Sequence, residues 1–373
     1  MRIDFVITEL FVGGAERCLT EIALGLSESG DDVRVFSIGS LPKGEQSALV
    51  DRLRSSGVQV DSGQADTLTQ TLAAYRQLQS WFTASPPDLA QTFLHHANVL
   101  GTRAAKTTGV STRVAGIRVA ESNPIRCQLE RVSLRACTST ICVSHAVQEF
   151  AASRLGCPRE TLTVIPNGVD VARFASAPPM NWSDLGWPDD AVVTLFVGRL
   201  HRQKGIELLQ SQIDQIAPQG SKQRLLLVGE GPLRNELRSW SERLGPQRVQ
   251  MLGWQSDVAP LMRACRLLVL PSHYEGMPNV VLEAMAAGRP VVASRVEGSD
   301  ELLEHSPESQ GFRPGDAAAM AMLINRFQSD ESFADDIGDR NQSFVRNEFS
   351  IAAMVDAYRS HYRSLLARRR EDV

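Results

Sequence analysis

The stretch HYEGMPNVVLEAMAAGRPVVAS (273–294) decides how the chain folds. An apolar run, LLVLP (267–271), leads into it, helical spacing holds from 279 to 287, and a second apolar run, PVVAS (290–294), follows. Two continuous apolar strands joined by a helix make a crossover unit of a parallel sheet that is covered on both faces. The connecting loop carries Ser272, His273, Tyr274 and Glu275, all expected to be exposed, and Asn279 is placed to cap the helix with Glu283 one turn inside it. The first-turn amides of that helix suit an anion. Glu275 and Glu283 would repel a phosphate but accept hydrogen bonds from hydroxyls, so the expected ligand carries both phosphate and polyol groups.

The alternation extends outward from this unit. AVVTLFVG (191–198), RLLLVG (224–229) and VQMLG (249–253) read as strands separated by helices opening near 205 and spanning 232–243 and 257–263. From Asn167 to about Asp190 the periodicity fails among Pro178, Pro179, Gly186 and Pro188, with Trp182 and Trp187 between them, as in a packed linker. Before it comes a second series of strands: IDFVI (3–7), VRVFSIG (33–39), DLAQTF (88–93), RVAGIR (113–118), STICVS (139–144) and LTVIP (162–166). Helices at 15–29, 66–82, 97–107, 125–137 and 145–154 separate them, the first stopped by Gly30. A chain of 373 residues has room for two such domains. The expected fold class is α/β, with two Rossmann-like domains facing across a ligand cleft. The first spans 1–180 and the second 181–349, and a final helix in 350–373 crosses back to brace the first.

Composition removes several function classes. With 39 basic and 43 acidic residues the net charge is −4, which gives a polyanion such as nucleic acid no electrostatic reason to bind. A local exception runs from Arg103 to Arg135, where Arg103, Lys106, Arg113, Arg118, Arg126, Arg131 and Arg135 stand against Glu121 and Glu130, seven minus two or net +5. Such a patch suits weak contact with an anionic acceptor or an anionic membrane surface. Six cysteines without a CxxC pair read as reduced thiols. Asp4 and Glu9 interrupt the first apolar run, and no run approaches the roughly 18 residues of a membrane span. The expected location is cytoplasmic, with peripheral contact at the inner face of the membrane.

Three further segments carry chemistry. FVGRLHRQKG (196–205) ends a strand at Gly198 and then offers Arg199, Arg202 and Lys204 before a helix, which suits a diphosphate. GGAER (13–17) places Gly13 and Gly14 where backbone meets a ligand at a helix start, although a tight turn has the same composition. In TFLHHAN (92–98) either His95 or His96 is placed to meet a polar ligand. No group of His, Cys, Asp or Glu has metal-ligand spacing, and neither a Walker A loop nor a serine-nucleophile elbow is present. Metal-independent transfer supported by cations and amides is the chemistry expected.

At these residues the chain resembles glycosyltransferase family 4, the retaining GT-B enzymes that transfer sugar from a nucleotide donor, over nearly its whole length. The family's E-x7-E pattern is similar to Glu275 through Glu283. The resemblance implies that Glu275 meets the donor-sugar hydroxyls and Glu283 the ribose, with the amides around Met277, Asn279 and Val280 on the donor. It implies Arg199 and Lys204 on the diphosphate, Gly13 and Gly14 in the first-domain glycine loop, and Glu230 and Gly231 of VGEGPL near the nucleobase. IPNGVD (165–170) also matches the family. Its first-domain histidine falls on His96, so the implied catalytic group is Glu275, Arg199, Lys204 and His96. A UDP-, GDP- or ADP-sugar is the implied donor and no metal is expected. A glycan or lipid-linked acceptor in envelope or polysaccharide synthesis is implied. A nucleotide-sugar epimerase of the same plan and a nonenzymatic nucleotide-binding protein are the alternatives.

Overall fold

The computed structural model describes residues 1–120 and 123–371. Contacts divide the chain into two units, residues 1–168 with 351–373, and residues 169–350.

The first unit is a seven-stranded parallel sheet ordered β3-β2-β1-β4-β5-β6-β7. Its strands are β1 (Arg2–Ile7), β2 (Asp32–Ser37), β3 (Gln59–Ser62), β4 (Leu89–Phe93), β5 (Thr112–Ile117), β6 (Ser139–Cys142) and β7 (Leu162–Val164). Its helices are α1 (Gly14–Glu28), α2 (Ala48–Ser55), α3 (Thr71–Ala84), α4 (His95–Thr107), α5 (Pro124–Leu134) and α6 (His145–Ser153). Ile3, Phe5 and Ile7 of β1 are fully buried against Leu19, Ile22 and Leu26 of α1. The intervening Asp4 is buried too, and is compensated by Arg34 at 2.8 Å and the Trp81 indole at 3.0 Å. Gly30 takes φ +84° just past α1, as the exposed helix stop requires.

The second unit is a six-stranded parallel sheet ordered β10-β9-β8-β11-β12-β13. Its strands are β8 (Val192–Val197), β9 (Gln223–Val228), β10 (Val249–Gly253), β11 (Leu267–Leu270), β12 (Val291–Ser294) and β13 (Gly311–Phe312). Around it lie α7 (Val171–Ser176), α8 (Ile206–Ser211), α9 (Ile213–Ile216), α10 (Arg234–Leu244), α11 (Ala259–Ala264) and α12 (Asn279–Ala286). Its remaining helices are α13 (Glu297–Leu303), α14 (Pro307–Gln310), α15 (Ala317–Ser329) and α16 (Glu331–Glu348). Helix α17 (Ile351–Glu371) then returns to the first unit, packing on α1 with Tyr358 and Tyr362 fully buried.

The division at 168/169 falls before the expected boundary at 180/181, because residues 169–180 are built into the second unit. Phe174 of α7 is buried, Arg173 pairs with Asp257 at 2.8 Å, and the Met180 amide donates to the Pro260 carbonyl at 3.0 Å. The tryptophans of the supposed linker are core residues: Trp182 and Trp187 are buried, and the Trp187 indole donates to the Pro246 carbonyl at 2.6 Å.

Candidate active site

In each sheet the direction of winding reverses once, between β1 and β4 in the first unit and between β8 and β11 in the second. Parallel sheets open a crevice at the carboxyl ends of the two strands flanking such a point. The residues singled out from sequence cluster there. Gly13 and Gly14 follow β1, and His95 and His96 follow β4; Arg199 and Lys204 follow β8, and Glu275 and Glu283 follow β11.

In the second unit the loops after β8 and β11 interlock. Gly205 sits at φ +63°, and a Cβ there would lie 1.9 Å from the Pro271 carbonyl oxygen, so only glycine allows the approach. The His273 amide donates to the Gln203 carbonyl at 2.8 Å, and the Gln203 side chain donates to the Tyr274 carbonyl at 3.0 Å. This brings the Lys204 ammonium onto Glu275 Oε1, which also accepts from the Ser272 hydroxyl at 2.7 Å. The Glu275 amide in turn donates to Glu297 Oε2 at 2.9 Å. Burial pushes the Glu297 carboxyl above its ordinary pKa, the bond from the Glu275 amide opposes that, and the charge of Glu275 adds to it.

The expected exposure of this loop holds for His273 and Tyr274 but not for Ser272 and Glu275, which are buried. A carboxylate so deep needs a cation and a hydroxyl, and the β8 loop supplies the cation. Asn279 is the first helical residue of α12 rather than its cap; Pro278 takes the cap position with extended backbone and no side-chain cap bond. Glu283 is buried on α12 one turn in, and Met277 is buried before the helix. Val280 follows Asn279 in the first turn, where helix amides precede the intrahelical ladder. Arg199 and Arg202 are exposed, whereas Lys204 is committed to Glu275.

After β9, Gly231 lies against the same loop: a Cβ on it would stand 2.4 Å from the Leu200 carbonyl oxygen. The Leu200 amide donates to the Glu230 carbonyl at 2.8 Å, and the Glu230 side chain pairs with Arg234 at 3.3 Å. The loops after β8, β9 and β11 are therefore one connected surface.

In the first unit, Gly13 is overlain by Glu16, whose Oε2 would be 2.3 Å from a Cβ on that glycine. Burial pushes the Glu16 carboxyl up to about 7, with the neighbouring charge of Glu9 adding and Arg118 opposing. Arg118, just past β5, is buried beneath the Phe93 ring and bonded to the side chains of Asn167 and Tyr358. Sequence reasoning gave no role to Glu16, Asn167 or Glu297. The first two lie inside GGAER and IPNGVD, and that placement was the available signal.

The two histidines separate. His95 is half-buried with Nδ1 3.4 Å from Glu130, and Glu130 is held by the Asn98 amide at 2.7 Å; His96 is exposed. Leu94, the cap of α4, takes φ +71° to turn the chain there. Of the seven basic residues between 103 and 135, Arg118 is buried and Arg113 bonds the Ala136 and Val110 carbonyls at 2.5 Å, which leaves the surface patch smaller than expected. Glu121, counted in that stretch, lies outside the described residues. All six cysteines are free. Among the described residues no three His, Cys, Asp or Glu side chains group as a metal site would, and no helix is long and apolar enough to cross a membrane.

Comparison with known proteins puts a family on this arrangement. The family model described as Glycosyltransferase Family 4 matches residues 12–173, and that described as Glycosyl transferases group 1 matches residues 191–330. The chain belongs to glycosyltransferase family 4. It is 32% identical to the lipopolysaccharide core biosynthesis glycosyltransferase LpsD of Rhizobium meliloti, over 50% of this chain and 53% of that protein. It is 27% identical to an Escherichia coli UDP-Gal:alpha-D-GlcNAc-diphosphoundecaprenol alpha-1,3-galactosyltransferase, over 74% of this chain and 75% of that protein. The first three curated relatives are matched over 53%, 63% and 62% of their own length, between half and two thirds. Among solved structures, the fold is similar to that of Anabaena Alr3699/HepE, crystallised with UDP, with a TM-score of 0.83 at 24% identity over 98% of this chain and 100% of that one. The two parallel sheets with their helices are the two Rossmann-like domains of the GT-B fold.

Proposed function

We propose that the chain is a retaining glycosyltransferase that moves a sugar from a nucleoside-diphosphate donor to a glycan or lipid-linked acceptor in cell-envelope or polysaccharide synthesis. The observation that carries this reading is the pairing of half-buried Lys204 with buried Glu275 and Ser272 ahead of α12, with the exposed Arg199 on the connected loop. Glu275, paired with Lys204, is suited to accept hydrogen bonds from donor-sugar hydroxyls, and Glu283 from the ribose. Arg199, together with the first-turn amides at Asn279 and Val280 and the backbone at Met277, stabilises charge that builds on the departing diphosphate. Lys204 adds its charge from behind Glu275. The loop of Glu230 and Gly231 borders the nucleobase, and Gly13, Gly14 and His96 are the substrate contacts proposed in the first unit. No catalytic base is assigned.

The named relatives support an envelope acceptor, since LpsD is named for lipopolysaccharide core synthesis and the E. coli relative for a diphosphoundecaprenol-linked sugar. HepE structures with UDP and with UDP-glucose support a uridine donor as the first to try. A thermal-unfolding screen of UDP-, GDP- and ADP-sugars tests the donor: the correct one raises the midpoint, adding about 2.7 kcal/mol of apparent stability at a hundred times its Kd. No shift with any of them overturns the reading, and conversion of a donor to its epimer without acceptor identifies an epimerase instead. Activity is expected to survive chelation. Loss with EDTA and return with Mg²⁺ or Mn²⁺ would refute metal independence.

A further inference from the structure

The peptide that joins Tyr274 to Glu275 is held at both of its polar ends. Its carbonyl, on Tyr274, accepts from the Gln203 side chain at 3.0 Å, and its amide, on Glu275, donates to Glu297 Oε2 at 2.9 Å. Gln203 belongs to the loop after β8 and Glu297 to the start of α13, so the two grips come from separate elements of the second unit. A peptide unit is planar, and holding both its carbonyl and its amide constrains ψ of Tyr274 and φ of Glu275 together. The direction in which the Glu275 side chain leaves the backbone is set there. The bond from the His273 amide to Gln203 falls two residues earlier and leaves this plane free to rotate.

The backbone of Glu297 marks its grip as more than incidental. It stands at φ +21°, and among the described non-glycine residues only Gln64 and Leu94 share a positive φ. A carboxylate that merely served the N-terminus of α13 would need only ordinary helical backbone, and Asp300 already stands in that first turn. At Glu297 the carboxylate bonds the Glu275 amide instead, and strain of this kind persists where the surrounding structure enforces it. Gly298 seats the helix on the same loop: a Cβ on it would lie 1.8 Å from the Gly276 carbonyl oxygen. The start of α13 is thereby fixed against the residues on either side of the bond it makes.

We infer that Glu297 is a positioning residue: with Gln203 it clamps the Tyr274–Glu275 peptide and so aims the Glu275 carboxylate. This rests on the reading of Glu275 as the acceptor of hydrogen bonds from donor-sugar hydroxyls. Without the clamp the peptide plane rotates and carries Glu275 with it, and a displacement of about 1 Å at such a group costs up to about a hundredfold in rate. The nucleotide contacts proposed above lie on other residues, so the loss falls on kcat rather than on the donor KM. Hydrogen exchange at the Glu275 amide needs neither donor nor acceptor, so failure of the clamp and failure of the glycosyl-transfer reading are separate results.

Amide hydrogen exchange across the loop after β11, with turnover measured beside it, tests the inference. In Glu297→Ala the Glu275 amide exchanges about fivefold or more faster than in wild type. Its kcat falls about tenfold or more while the donor KM stays within about threefold. Glu297→Gln keeps an accepting oxygen at the same reach and holds both readings within about threefold of wild type. Glu297→Gly matches the alanine variant in exchange and turnover but unfolds at a higher temperature, because glycine takes a positive φ freely. Asp300→Ala breaks the exposed pair with Arg295 in the same helix turn and leaves exchange and turnover within about twofold of wild type. Wild-type exchange at the Glu275 amide in both Glu297→Ala and Glu297→Gly, a loss in Glu297→Gln equal to that in Glu297→Ala, or an equal loss in Asp300→Ala overturns the inference.

Discussion

Two buried glutamates, Glu16 in the first unit and Glu275 in the second, stand just beyond strands that flank a reversal of sheet order, and their surroundings differ. Glu275 is 7% exposed and has a lysine, a hydroxyl and an anchored backbone around it; Glu16 is 8% exposed and, among the described residues, has no cation bonded to it. Arg118, a buried cation whose charge acts on Glu16, is bonded to the neutral groups of Asn167 and Tyr358. The second unit therefore gives its carboxylate a cation and a hydroxyl as partners. The first lets its own sit near the point of protonation.

The largest expected effect is on the lysine-paired member, Glu275. Glu275→Gln keeps the shape but removes the charge that accepts hydroxyls, and turnover is expected to fall about a hundredfold with little change in the circular dichroism spectrum. Lys204→Met leaves Glu275 buried without its cation and costs about 3 kcal/mol of stability in urea unfolding, with turnover falling as well. Arg199→Ala, at an exposed position, should weaken donor use without that stability loss. Equal stability losses for Arg199→Ala and Lys204→Met would break the contrast between the two cations.

The next effect is on Glu16. Burial raises the folded-state pKa of Glu16 to about 7 from its ordinary 4.5, so its contribution to stability is fully present below pH 4.5 and is lost as the pH rises through 7. Ionising it in place costs about 3 kcal/mol at pH 8, an upper figure because the surroundings relax. Glu16→Gln is expected to remove that part of the pH dependence and to be more stable than wild type at pH 8 but not at pH 4.5. Parallel urea midpoints for the two proteins from pH 4.5 to 8 would show that Glu16 is not held near neutrality.

The fold was legible where strands are apolar on both faces. LLVLP and PVVAS could be placed to within a residue because neither face of β11 or β12 meets water. β3 was missed because QVDS alternates exposed and buried residues on a sheet edge and is four residues long. The unit boundary was displaced because α7 is short and takes its place from α11, α12 and α16, which are distant in sequence. At the site, residue types and spacing were readable from the motifs, but the pairing of Lys204 with Glu275 was not. The two are 71 residues apart, and the close approach at Gly205 with the bonds from His273 and Gln203 brings their loops together. The burial of Glu16 was hidden for a similar reason, since a glutamate in the first turn of a helix ordinarily reads as an exposed partner of the helix dipole.

The smallest effect is expected beside the largest. His273 and Glu207 form an ion pair at 2.6 Å two residues from Glu275, but their side chains are 44% and 50% exposed, so solvent and salt screen the pair. An exposed pair of this kind is worth about 0.2–1 kcal/mol, and only while the histidine is protonated. The loop it decorates is anchored independently by the His273 amide on Gln203, by the Gln203 side chain on Tyr274 and by the approach at Gly205. Removing the imidazole therefore leaves Glu275 where it was. His273→Ala should lower stability by less than about 1 kcal/mol in urea unfolding, an effect that shrinks in high salt, and should change turnover by no more than about twofold. A loss of turnover approaching that of Glu275→Gln would mean that the loop owes its position to the exposed pair rather than to its buried bonds, and the contrast drawn between Glu275 and Glu16 would then have to include the surface around it.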